Sequence, residues 1–140
     1  MKTTVDVVAE RFRLTYSCES IDPDFGDLFG DTVVVWHNYE SEMSVPGREL
    51  ADVMIRMVSA ASEVVRGHRD TVWAMQVSPD GFTLAATLEG ELPDGTPVRI
   101  PRCLLVEVRD GLIVRINEFG DHSQREPYDR VLKAAGRFRS

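Results

Sequence analysis

Val108-Arg109-Asp110-Gly111-Leu112-Ile113-Val114-Arg115-Ile116-Asn117-Glu118-Phe119-Gly120-Asp121 is the stretch on which the fold of this chain turns. Asp110-Gly111 between two apolar runs is a hairpin signal. After it, Leu112, Val114 and Ile116 share one strand face, with polar Arg115 and Asn117 on the other. Successive strand side chains point to opposite faces, so Glu118 falls on the apolar side. A carboxylate there has to be paired, hydrogen-bonded or protonated, because an unpaired buried charge is very costly. Reading Arg109-Asp110-Gly111 as a three-residue loop pairs Val108 with Leu112, Val106 with Val114, Leu104 with Ile116 and Arg102 with Glu118. A two-residue loop would set Cys103 against Glu118 instead. Glu118 is then either half of a structural cross-strand ion pair or an acid that faces a ligand.

Three further strands precede this one. They cover residues 69–78, 82–92 and 96–108, with turns at Pro79-Asp80-Gly81 and Pro93-Asp94-Gly95. Leu84, Ala86, Leu88, Val98, Ile100, Leu104 and Val106 continue the apolar face. Upstream of them, Leu50, Val53, Met54, Met57, Val58, Ala61, Val64 and Val65 recur at helical spacing, which predicts a long helix over 48–66 stopped by Gly67. A first helix over 3–17 carries Val5, Val8, Ala9, Phe12 and Tyr16, and Asp22-Pro23 opens a short second one through Phe29. A strand over 32–38, a polar loop over 40–47 and a last helix over 127–135 complete the order α-α-β-α-β-β-β-β-α. That is one α+β domain spanning 1–140.

The chain has 140 residues and a net charge of −7, with no basic run interleaved with aromatics. Nucleic acid and anionic membrane are therefore poor partners. Cys18 and Cys103 lie far apart, and His37, His68 and His122 are scattered, so no metal site is expected. Without a signal peptide, reduced thiols and a cytoplasmic location are expected. No Lys/Arg cluster or Gly-rich loop suits a phosphate, which disfavours nucleotides and coenzyme A esters.

The element order resembles the nuclear transport factor 2-like superfamily, and within it the SnoaL-like polyketide cyclases, ketosteroid isomerases and limonene-epoxide hydrolases. Three strings carry the resemblance. Residues 28–38, Leu-Phe-Gly-Asp-Thr-Val-Val-Val-Trp-His-Asn, look like the family's first strand. Pro46-Gly47-Arg48-Glu49 looks like the start of its long helix, and residues 108–121 look like its closing hairpin. The resemblance implies a cone: a bent antiparallel sheet wrapped on the long helix, with a central pocket and a homodimer formed by the sheet's outer face. It implies no cofactor and a small apolar molecule as partner.

Its functional residues transfer unevenly. The position of the isomerases' proton-shuttling Asp is Asn38 here, and Leu104 stands at their acidic oxyanion donor. Tyr16 matches their oxyanion tyrosine. The epoxide hydrolases' aromatic-x-Asn is matched by Trp36-x-Asn38 and their strand acid by Glu118, but their Arg-x-Asp pair has no counterpart: Arg102 lies on another strand, and Thr87-x-Glu89 lacks the Arg. The cyclases' terminal acid is similar to Asp121. The resemblance thus implies acid/base chemistry, of isomerase, cyclase or epoxide hydrolase type, on a small apolar oxygenated substrate. Glu118, Asn38 and Asp121 would be catalytic, with Tyr16, Trp36, Arg102, Leu104, Met54 and Met57 lining the site. Asn38 would orient water or a carbonyl, and His37 alternates onto the outer face. Because those catalytic sets are incomplete, a non-catalytic ligand-binding or dimerisation module is the alternative.

Overall fold

A computed structural model describes residues 2–136. The chain forms α1 (Thr4–Tyr16), a 3-10 turn (Phe25–Leu28), β1 (Phe29–His37), β2 (Glu40–Pro46), α2 (Gly47–Val64), β3 (Arg66–Ser78), β4 (Gly81–Glu91), β5 (Pro97–Arg109), β6 (Leu112–Gly120) and α3 (His122–Ala134). One bent six-stranded sheet, ordered β2-β1-β6-β5-β4-β3, carries the helices, and only β1 and β6 run parallel. The expected α+β architecture is thus present.

α1 begins with a reciprocal cap, in which Thr3 and Asp6 each accept from the other's backbone N–H. Its buried stripe is Val8, Ala9, Phe12 and Tyr16. Phe12 is wholly buried, with ring centroids 5.5 Å from Phe82, 5.6 Å from Tyr16 and 5.9 Å from Phe25. That aromatic group joins α1 to the sheet at the centre of the main core.

Five expectations need correction. The second helix is only the 3-10 turn, because Asp22 is drawn away by Arg11 at 2.8 Å and caps the Asp24 N–H. The polar loop over 40–47 is strand β2. It is an edge strand exposed along most of its length, with Val45 half-buried against the main core, so no apolar alternation marks it. The last helix starts at His122, and Pro127 lies inside it; Asp121 caps the first turn by accepting from the Ser123 N–H. Val53 of the α2 stripe is exposed.

The fifth correction is the hairpin register. Asp110 and Gly111 both adopt positive φ, 52° and 77°, so the turn has two residues and pairs Arg109 with Leu112. Val114 is then an extra residue, a bulge between the pairs Val108–Ile113 and Glu107–Arg115. It sets Leu104 opposite Glu118 and Arg102 opposite Gly120. Ile113, Ile116 and Glu118 are buried, and Leu112 is exposed.

Gly47 shows why the helix-opening string reads as it does. A Cβ there would lie 1.9 Å from the Gly30 carbonyl oxygen and 2.9 Å from Phe29 Cβ. Gly47→Ala is expected to destabilise by about 1–3 kcal/mol through overpacking. Urea unfolding checks this, and a loss below about 0.5 kcal/mol would show that the strand–helix contact relaxes freely.

Candidate active site

Glu118 is buried and gathers three donors. Its Oε2 lies 2.8 Å from His37 Nε2, and its Oε1 lies 3.4 Å from Arg102 Nη1 and 3.7 Å from Arg125 Nη1. Burial is the largest single influence on this carboxyl and would raise its pKa. The His37 hydrogen bond, followed by Arg102, Arg125 and the charge of His37, outweighs burial and brings the pKa down to about 2.

Arg102 also reaches across two strands. Its Nη2 bonds to Asp70 Oδ2 on β3, and its guanidinium carbon sits 4.9 Å from the Tyr16 ring centroid. The cation is therefore held between two buried carboxylates beneath an aromatic ring. Among the described residues, Tyr16 Oη, Asp70 Oδ1, Arg102 Nε and Asp129 Oδ1 are buried without a hydrogen-bond partner. Burial pushes the Tyr16 hydroxyl well above its ordinary pKa, so it is a neutral phenol able to donate. Burial likewise raises Asp129.

A second group lies beside this one. His68 Nε2 is 3.1 Å from the Tyr128 hydroxyl, and His68 Nδ1 is 3.7 Å from Cys18 Sγ. Burial lowers the His68 pKa and raises the Cys18 thiol to about 11, so both are neutral. A buried neutral thiol is a poor nucleophile.

Of the residues singled out from sequence, Glu118, Arg102, Tyr16 and Leu104 come together, with Leu104 buried directly opposite Glu118. The other five lie elsewhere. Trp36 alternates off the Val33 and Val35 face and packs edge-on against exposed Phe119, with centroids 5.0 Å apart. Asn38 is exposed, and its amide is spent on backbone: Nδ2 donates to Gly120 O at 3.2 Å, and Oδ1 accepts from Gly120 N at 3.1 Å. Asp121 caps α3, accepting from Ser123 and Gln124, bonds that hold its pKa low. Met54 packs on the main core, and Met57 is half-buried on α2. The described clefts do not border Glu118. One of about 350 Å³ lies beside Gln76, Phe82 and Asn117, and another of about 480 Å³ lies beside Lys2, Asp6 and Met75.

Three site residues escape the sequence reading. Asp70 stands two residues before half-buried Val72, the same signal of an acid on an apolar strand face that singles out Glu118. His37 is turned inward because the β1 pairing with β2 slips between Val35 and His37. Arg125 reaches Glu118 from the part of α3 that precedes Pro127.

No protein-family model matches the sequence, and no curated protein is significantly similar to it. Solved structures do match, with the nuclear transport factor 2-like fold. An M. tuberculosis LEH-like epoxide hydrolase is 21% identical over 94% of this chain and 93% of its own, with a TM-score of 0.64. An NTF2-like protein of Burkholderia thailandensis is 14% identical over 91% and 97%, with a TM-score of 0.68. A protein of ketosteroid isomerase-like fold from Catenulispora acidiphila, solved with trimethylamine, is 17% identical over 79% and 82%, with a TM-score of 0.58. At these identities the likeness establishes the fold. Among the described residues, no helix is long and apolar enough to cross a membrane.

Proposed function

We propose that this chain is an enzyme performing acid/base chemistry on a small oxygenated organic molecule, of the isomerase, cyclase or epoxide-opening kind. Its centre is Arg102 between Asp70 and Glu118, beneath Tyr16. The observation that carries this is the unpartnered set of Tyr16 Oη, Asp70 Oδ1 and Arg102 Nε around one buried guanidinium. Each buried group without a partner costs about 1–3 kcal/mol, which a purely structural ion pair avoids. Two donors and an acceptor suit a substrate oxygen: Arg102 and Tyr16 stabilise developing negative charge, and Asp70 accepts from a hydroxyl. Glu118, committed to three donors, acts as a fixed anion. The likeness to an LEH-like epoxide hydrolase and to a ketosteroid isomerase-like fold supports the reaction class.

Thermal-shift screening against steroid, polyketide and epoxide panels, followed by turnover assays on every stabilising compound, tests the reading. Tyr16→Phe is expected to leave the melting temperature unchanged or higher, because it removes an unpartnered buried hydroxyl, while turnover falls about 100-fold. A melting temperature lowered as far as by a core truncation would show that the hydroxyl has a structural role, and the proposal would fail.

A non-catalytic module is the second reading, favoured by the clefts opening away from Glu118. It expects ligand stabilisation with no turnover. In either case we read the outer sheet face, where Phe119 and Leu105 are exposed beside Trp36, as a homodimer interface. Sedimentation of the wild type against Phe119→Lys measures it.

A further inference from the structure

Glu118 has no free edge: His37 occupies Oε2, and Arg102 and Arg125 converge on Oε1. The group with a free edge is the imidazole it holds. An ionised carboxylate only accepts, so the 2.8 Å contact places a hydrogen on His37 Nε2. In the neutral ring the lone pair is then on Nδ1. That nitrogen lies 3.7 Å from Glu40 Oε2, beyond hydrogen-bond length. The His37 side chain is 21% exposed against 10% for Glu118, so it is the more accessible member of the pair. The Tyr39 ring packs on it at 5.2 Å and is stacked in turn on His122. The charged and titratable groups around the imidazole are Glu118 on β6, Arg102 on β5, Arg125 on α3, Glu40 on β2 and Tyr39 in the turn between β1 and β2.

Resting on the acid/base reading above, we propose that His37 is the residue that carries the proton, with Nδ1 as the reacting atom and Glu118 as the positioning residue that fixes its tautomer. Nδ1 takes a proton from a carbon next to the substrate carbonyl, and the C–H electron pair moves into the enolate. The imidazolium so formed sits against the Glu118 anion, which stabilises it. The same nitrogen returns the proton to another carbon as the carbonyl re-forms, so the isomerisation closes without a co-reactant. Asp70, Arg102 and Tyr16 hold the oxygen meanwhile.

The test uses His37→Gln in the whole protein, because a glutamine amide reaches the position of the imidazole Nε2 and can still donate to Glu118. With a compound that the panel shows to be turned over, kcat is expected to fall at least about 100-fold with KM within about threefold. Turnover within twofold of wild type overturns the proposal. Nitrogen-15 NMR of histidine-labelled protein gives a readout that needs no substrate. A protonated Nε2 and bare Nδ1 at His37, lost in Glu118→Ala, supports the assignment; a proton on Nδ1 overturns it. A protein that turns over nothing in the panel sinks the acid/base reading itself, whereas an Nδ1-protonated ring in an active protein sinks only the role of His37.

Discussion

Replacing Arg102 with methionine is expected to cost about 3–5 kcal/mol at neutral pH, the usual consequence of stranding buried charge. Two carboxylates lose their shared cation, since Asp70 and Glu118 both bond to Arg102 and both are buried. The methionine fills much the same space, so lost packing is a minor part of the effect. The loss should shrink on acidification. In the wild type the Glu118 carboxyl is held at about 2 against an ordinary 4.5. Its contribution to stability is complete above about pH 4.5 and disappears as the pH falls through about 2. Arg102 is one of the groups that depress this carboxyl, so in R102M it protonates at higher pH and the two stability curves converge toward acid. Urea unfolding from pH 7 down to pH 3 measures this. A difference below about 1 kcal/mol at pH 7, or one that widens toward acid, would show that the carboxylates do not depend on Arg102.

Phe12→Ala is expected to lower stability by a similar amount, about 3–5 kcal/mol, for an apolar reason. The ring is fully buried and touches the aromatic side chains of α1, the 3-10 turn and β4 together. Its removal leaves a cavity whose walls belong to three elements and have no common direction in which to collapse. It also takes away the ring stacked on Tyr16, so ligand affinity should fall along with stability. Parallel denaturation of F12A and Phe12→Leu separates cavity from aromaticity. A loss under about 1.5 kcal/mol in F12A would mean that α1 repacks on the sheet.

The parts of the fold legible in the chain are those where burial imposes a period. α1, α2 and the meander β3 to β6 show their stripes and turns, and Glu118 stands out because it breaks the polarity of its face. The pairing of Glu118 with Arg102 also emerges, although through a neighbouring register position rather than directly across the ladder. β2 leaves no trace, since an exposed edge imposes no alternation. His37 is misplaced by simple alternation, because an irregular pairing adds a residue to the count. Pro127 hides the first turn of α3 and with it Arg125, since proline reads as a start while the cap at Asp121 is the true one. Asn38 and Trp36 match a family pattern in residue type, yet hydrogen bonding to Gly120 and packing on Phe119 occupy them. Residue type carries across such a likeness more readily than orientation does.

The bulge at Val114 makes β6 a strand with a chosen phase. Ile113 and Glu118 are five positions apart, an odd interval, so both face inward only because one residue is left out of step. A ladder continued evenly from Ile113 would turn Arg115, Asn117 and Phe119 into the core and expel Ile116 and Glu118. Phe119 would accept that exchange. Arg115 would not: it now pairs with Glu42 on the outside at 2.9 Å, and inside it would meet the apolar side chains of Leu104 and Val106. Arg115 is thus a lock on the strand's phase, and a residue that never touches the carboxylate decides which way it points.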